Sequence, residues 1–317
     1  HRGEEVDMKV SIIGSGKVGV ATALYLIEAR VADIVLIDVI PGWAEGIALD
    51  IIQSSPIRRY DVTIEGYSDI SKIAGSDVVV VPAGKPRLPG MSREDLLKDN
   101  VKVISAVSKD IAKYAPNAVV IMVTNPLDIM AYTALKVTGF ALRKVIGMAG
   151  ILDSSRFRYF ISDELGISPK NVVALVMGGH GDLMVPLARY STVHGIPITQ
   201  LLSESTIERL VERTRKGGGE IVSYLKTGSA YWTTGSSVAE MVECVIRDKK
   251  RIIPCSAYLR GEYGIDGIYV GVPIKLGRDG VEDIIELNLS TEEKEALHRS
   301  AARVRQVIEN METENLI

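Results

Sequence analysis

Of the four histidines in this 317-residue chain, His1, His180, His194 and His298, only His180 sits where an imidazole could do chemistry. It lies in Met177-Gly178-Gly179-His180-Gly181-Asp182, at the end of a strongly apolar stretch. A histidine there is either a satisfied turn residue or a general acid/base, since an imidazole titrates near neutrality and can exchange a proton with a substrate oxygen. It then needs a carboxylate to fix its tautomer and to stabilise its charged form. Two acids compete for that role: Asp182, and Asp153 in Ile151-Leu152-Asp153-Ser154-Ser155-Arg156. The residues alone leave the choice open, and Asp153 could equally be the N-cap of the helix that follows. Arg156 shares a helix face with Asp153, where it could grip a substrate carboxylate through two parallel N–H bonds. Its plainer alternative is a surface ion pair with Asp163 or Glu164. His1 and His298 fall in charged, solvated stretches, and His194 precedes Gly195 in a turn with no role assigned.

A second group of residues points to a nucleotide. Gly14-Ser15-Gly16-Lys17-Val18-Gly19 matches G-x-G-x-x-G between a strand and a helix. A P-loop is excluded, because Val18 stands where Ser or Thr must hold magnesium and Ser11 where the first glycine belongs. For a dinucleotide, Gly14 makes the tight turn, Gly16 admits the pyrophosphate and Gly19 packs the helix closely. Asp38 closes the second strand, where a carboxylate bonds both ribose hydroxyls. Val39 and Ile40 follow it, with no cation for a 2′-phosphate, which favours NAD over NADP.

Two further stretches carry polar groups of uncertain duty. Residues 83–95, AGKPRLPGMSRED, bring Arg87 and Arg93 into one proline- and glycine-rich loop, either solvated or built to bind anions. Asn125-Pro126, in VTNPLD, is either a turn with proline at the first helical position or a ligand contact at the carboxyl edge of a sheet.

The elements that must position these groups alternate. Strands are expected at 9–14, 33–38, 62–66, 77–84, 118–125 and 144–150, several apolar on both faces, with helices such as Lys17–Ala29 and Ser92–Ala115 between them. That pattern implies an open, doubly wound α/β sheet. Beyond residue 150 the pattern becomes α+β. Residues 171–193 suggest a hairpin turning at the glycines, 199–247 are mostly helical, and RIIPCSAYL, GIYVGVPIKLG and VEDIIEL suggest an antiparallel meander. Gly217-Gly218-Gly219 is expected at a helix junction, and Ser290-Thr291-Glu292-Glu293 is a capping box opening the last helix.

Composition narrows the function further. Net charge is −3, aromatics are 5% and no long basic run occurs, which argues against a nucleic-acid or membrane surface. Cys244 and Cys255 offer neither a disulfide framework nor a CxxC metal pair, so a reducing, cytoplasmic setting and no metal are expected. HRGEEVDM lacks the apolar core of a signal peptide and reads as an extension ahead of Met8.

Taken in order, GSGKVG, LID, AGKPRLPGMSRED, VTNPLD, ILDSSR and GGHGD resemble the lactate/malate dehydrogenase family over residues 8–317, most of all its lactate-dehydrogenase-like malate dehydrogenases. The resemblance implies a Rossmann NAD-binding domain at 8–150 with strand order 3-2-1-4-5-6, then an α+β catalytic domain at 151–317. It implies reversible hydride exchange between NAD and a 2-hydroxy acid, with malate and oxaloacetate as the expected pair, in a homodimer or homotetramer. By the same resemblance His180 is the acid/base and Asp153 its orienting carboxylate. Arg156 clamps the C1 carboxylate, Arg93 polarises the carbonyl, and Asn125 contacts substrate and the nicotinamide side. Gly14, Ser15, Gly16, Lys17, Val18, Gly19, Asp38, Asn100, Val123 and Asn125 match cofactor positions. Arg87 occupies the substrate discriminator, where lactate enzymes commonly carry glutamine, and Ala230 stands where they usually carry threonine. Three rivals weigh less: a broad 2-hydroxy-acid or lactate dehydrogenase, an NAD-dependent glycosidase, which would need a cysteine near His180, and a non-catalytic NAD sensor.

Overall fold

The computed structural model describes residues 8–85, 93–226 and 228–316. Short runs of Val and Ile, apolar on both faces, build a parallel sheet. Its strands are β1 (Lys9–Ile13), β2 (Asp33–Ile37), β3 (Ile64–Tyr67), β4 (Val78–Val81), β5 (Val119–Met122) and β6 (Val145–Gly147). They lie side by side in the order 3-2-1-4-5-6, as expected for a doubly wound sheet. Every residue of β4 and β5 is buried. Connecting helices are α1 (Lys17–Glu28), α2 (Trp43–Gln53), α3 (Ser55–Arg58), α4 (Arg93–Tyr114) and α5 (Leu127–Thr138).

The later part begins with α6 (Gly150–Leu165) and five two-residue strands: β7 (Val172–Val173), β8 (Val176–Met177), β9 (Val185–Pro186), β10 (Thr192–Val193) and β11 (Ile196–Pro197). Next come α7 (Glu204–Leu225), α8 (Trp232–Ile246), β12 (Arg251–Arg260), β13 (Asp266–Gly277), β14 (Gly280–Ile284) and α9 (Thr291–Thr313). The glycine hairpin forms: Val176↔Pro186 and Met177↔Val185 pair near the turn, and Val173↔Thr192 and Val172↔Val193 pair at its outer end. The meander also forms, and it does not stand apart. Ser256 of β12 pairs antiparallel with Gly147 of β6, so β12, β13 and β14 extend the parallel sheet to nine strands. One apolar core runs from Val10 to Met311, with a smaller cluster around Phe157 and Val172.

Three local expectations need correction. The third strand starts at Ile64 rather than residue 62, because Thr63 spends its N–H on the Asp33 carboxylate at 2.7 Å. Pro126 is not the first helical residue. It is the N-cap of α5, and the Asn125–Pro126 peptide is cis. Gly217-Gly218-Gly219 is no junction, since α7 runs through it unbroken. Each interior glycine costs a helix ~1 kcal/mol relative to alanine, so tertiary packing overrides local preference there. The Ser290 capping box is present as expected, with the Glu293 N–H donating to Ser290 Oγ and Glu293 Oε2 accepting from the Ser290 N–H.

Candidate active site

The His180 turn is held by all three of its leading N–H groups. Gly178 donates to Gly271 O of β13 at 2.8 Å, Gly179 to Ser300 Oγ of α9 at 2.8 Å, and His180 to Asp128 Oδ2 of α5 at 3.0 Å. Gly178 has φ +85°, the left-handed region that favours glycine. With its backbone fixed, the imidazole brings Nδ1 to 2.8 Å from Asp153 Oδ2. The choice between Asp182 and Asp153 therefore falls to Asp153. Asp153 is also not an N-cap: α6 begins at Gly150, which places Asp153 inside its first turn and buries it.

Electrostatics follow from that contact. Burial works to lower the His180 pKa, but the Asp153 carboxylate and, more weakly, Asp128 outweigh it, against Arg156. The net result is a raised pKa. An ionised carboxylate can only accept, so Nδ1 donates to Asp153 and leaves Nε2 to exchange a proton with a ligand.

Arg156 lies one helical turn beyond Asp153 and reaches back to it, Nη1 to Oδ1 at 3.3 Å. The surface alternative fails, since Glu164 pairs with Arg209 and the Arg156 side chain is only 11% exposed. Its Nε is buried and has no partner among the described residues. A guanidinium with unused donors beside an imidazole suits a carboxylate ligand.

At the other end, Gly14 closes β1 with φ +113°, and a Cβ there would fall 2.8 Å from Ala83 N. A Cβ at Gly19 would come 2.1 Å from Gly14 O, so only glycine lets α1 start so close beneath the turn. At Gly16 nothing lies within 4 Å of an added Cβ, and no side chain caps α1, whose first turn carries no acid. Open space before an uncapped helix N-terminus fits a pyrophosphate. Asp38 points its carboxylate at the turn, Oδ2 accepting from the Ser15 N–H at 2.9 Å and Oδ1 from the Ile40 N–H at 3.2 Å. Lys17 places Nζ 5.4 Å from the Tyr231 ring centroid, which brings the segment holding Ala230 beside the glycine turn.

Between the two ends, Asn100 joins the strand exits. Its Oδ1 accepts from the Lys85 N–H at 2.7 Å, and its Nδ2 donates to Asn125 O at 2.8 Å. Val123 is buried and donates its N–H to Val81 O, whereas Asn125 itself is exposed. Arg87 lies outside the described residues, as do the seven residues ahead of Met8, and Arg93 is described only as the first residue of α4. A cavity of about 680 Å³ adjoins the turn, lined by Asp128, His180, Lys98, Arg303 and others. Neither Arg156 nor Asn125 lines it, so it lies beside these two residues and does not contain them.

Two residues escaped the sequence reading. Asp128 lies in the quoted VTNPLD, where an acid in a helix's first turn looks like an ordinary dipole partner. Here it is buried, accepts from Ser256 Oγ at 2.6 Å and from the His180 N–H, and burial pushes its pKa up. Trp43 donates Nε1–H to Ser15 O at 3.0 Å, pinning the glycine turn from α2. No local signal marks that contact.

Comparison with known proteins agrees with this architecture. Residues 8–147 match the family model of the lactate/malate dehydrogenase NAD binding domain, and 151–315 that of its alpha/beta C-terminal domain. A malate dehydrogenase of Thermomicrobium roseum is 52% identical, over 96% of this chain and 98% of its own length. The apo structure of the Picrophilus torridus malate dehydrogenase superposes with a TM-score of 0.94 at 44% identity, covering 98% of this chain and 100% of that one. A lactate dehydrogenase of Eimeria maxima, solved with NADH and oxamate, gives 0.93 at 38% identity, covering 98% and 95%. The chain belongs to the lactate/malate dehydrogenase family.

Proposed function

We propose that this chain is an NAD-dependent malate dehydrogenase that interconverts (S)-malate and oxaloacetate. The observation that carries this is the 2.8 Å contact between His180 Nδ1 and Asp153 Oδ2, in a chain 52% identical to a malate dehydrogenase. Bound NAD would supply the hydride acceptor for C2 of malate and, in reduced form, the hydride donor for oxaloacetate. His180 Nε2 takes the hydroxyl proton in the first direction and gives it back in the second, while Asp153 holds the tautomer and stabilises the imidazolium. Arg156 clamps the C1 carboxylate, and Arg93 polarises the carbonyl. Asn125 contacts substrate and the nicotinamide side. Gly14, Ser15, Gly16, Lys17, Val18 and Gly19 seat the pyrophosphate, Asp38 takes the ribose, and Asn100 and Val123 complete the cofactor wall.

Arg87 selects the substrate. Oxaloacetate has a second carboxylate to pair with it, whereas pyruvate leaves the guanidinium stranded. A charge-assisted bond is worth ~1.5–3 kcal/mol and stranding a buried charge costs ~3–5 kcal/mol, which gives a preference on the order of two to four decades if the loop closes tightly. Ala230 leaves room for the longer acid. We assign residues 8–150 to cofactor binding and 151–317 to substrate binding. The setting is the cytoplasm and the assembly a homodimer or homotetramer, for which exposed Ile57, Tyr224 and Trp232 supply apolar surface. Among the described residues no helix is long and apolar enough to cross a membrane.

NADH oxidation with oxaloacetate against pyruvate, at equal concentration, tests the assignment. Oxaloacetate should be turned over faster; faster pyruvate turnover would sink it. Arg87→Gln should lower kcat/KM for oxaloacetate by at least roughly tenfold and narrow the gap to pyruvate.

A further inference from the structure

Three glycines in the interior of α7 are unfavourable to the helix, and the contacts around them differ sharply. A Cβ at Gly217 would sit 3.1 Å from Arg156 Cδ, 3.7 Å from its Nε and 3.8 Å from Phe160 Cε2. At Gly218 the nearest atoms are Arg156 Nη1 and Nη2, at 3.7 and 3.9 Å. At Gly219 nothing lies within 4 Å. Two of the three glycines thus face the same guanidinium group and its stem.

We propose that Gly217 and Gly218 are positioning residues for Arg156: the missing side chains leave the trough in which the arginine lies, and so fix the attitude from which it clamps a substrate carboxylate. The proposal rests on the clamp role given to Arg156 above. Only one polar contact restrains the arginine among the described residues, Nη1 to Asp153 at 3.3 Å, and its Nε is unpartnered. Packing against α7 is therefore what fixes the rest of it. Asp153 is buried and already bonded to His180, so it is poorly placed to move. A methyl group added at Gly217 meets the flexible arginine stem before it meets any backbone, and the arginine yields. A two-pronged pair depends on both prongs being aligned, so a displacement of a few tenths of an ångström to an ångström weakens it severalfold or more.

The triplet supplies its own control. In the full-length enzyme, Gly217→Ala should raise KM for oxaloacetate by roughly tenfold, whereas Gly218→Ala, whose methyl group meets the guanidinium at ordinary contact distance, should stay within roughly twofold. Gly219→Ala should leave KM unchanged and raise Tm, because it only improves helix propensity. NADH affinity, read by fluorescence titration, should stay within roughly twofold in all three, since the clamp is a substrate group. In an Arg156→Lys background, Gly217→Ala should add no further rise in KM. Equal KM values for Gly217→Ala and Gly219→Ala, or an undiminished effect without Arg156, would overturn the proposal. If Gly217→Ala does not fold, Gly218→Leu against Gly219→Leu decides in the same way: a methyl group at Gly218 only touches the guanidinium at 3.7–3.9 Å, whereas a larger side chain displaces it, and Gly219 has no neighbour within 4 Å. Failure of the unmodified enzyme to reduce oxaloacetate would instead refute the malate assignment.

Discussion

At Gly178–His180 three consecutive N–H groups are spent on three different elements: a strand, α9 and α5. At Gly14–Gly19 the same residue type leaves a helix end uncapped and open space beside Gly16. Both turns are glycine-rich, yet the first spends all three leading N–H groups on other elements, whereas the second spends those of Gly14 and Ser15 on Ile37 O and Asp38 and leaves the start of α1 without a side-chain cap. The difference fits the roles proposed for the two ends. A proton exchanged over a single hydrogen bond requires an imidazole already in place, since misplacement costs rate steeply. A diphosphate brings its own charge and needs donors that nothing else has taken.

The largest test of that contrast is His180→Asn. It should lower turnover by ~10²–10⁴ while sparing NADH binding, because only the His180 end is touched. Near-normal turnover in a stopped-flow assay would remove His180 from the chemistry. Gly19→Ala should act at the other end. Its Cβ meets the Gly14 carbonyl, backbone that cannot step aside. The cost should be ~1–3 kcal/mol of stability with NADH affinity weakened by roughly tenfold, while the pH limb of turnover stays put. A shifted limb would mean that the ends are not separable.

The smallest effect sharpens the contrast from inside the His180 turn. The raised pKa extends the protonated form of His180 to higher pH than an ordinary imidazole, so oxaloacetate reduction should fall only as pH rises through that raised pKa. Malate oxidation, which needs the neutral ring, should rise over the same interval. Facing the ring are Asp153 and Arg156 from α6 and Asp128 from α5. Asp128→Asn removes one negative neighbour, so both limbs should move to lower pH; unmoved limbs would leave Asp128 a purely structural acceptor.

Much of this site could be read from the chain because its groups sit on short motifs whose backbone geometry is local. Gly14, Gly19 and Asp38 stand where strand–turn–helix logic puts them, and the alternation implies the doubly wound sheet, whose strand order only the family resemblance implies. The Asp153–His180 pair needed more. Spacing left Asp182 equally eligible, since the two acids differ only in how α6 packs against the β8–β9 hairpin. Asp128 and Trp43 were illegible for the same reason: each acts on a backbone group far away in sequence. The glycine triplet misled because helix propensity is local, whereas the arginine it accommodates belongs to another helix.

The sheet that crosses residue 150 also bears on how the chain is made. Gly147 finds its outer neighbour only at Ser256, and Tyr269 reaches back to Val145 O at 3.0 Å. During synthesis the emerging first half therefore presents β6 as an open edge, apolar and fully buried in the finished molecule. Until β12 is translated, that edge is a template for the wrong strand as well as the right one. The same joint that makes the nine-stranded sheet continuous leaves the nascent chain a long interval in which it is most prone to aggregate.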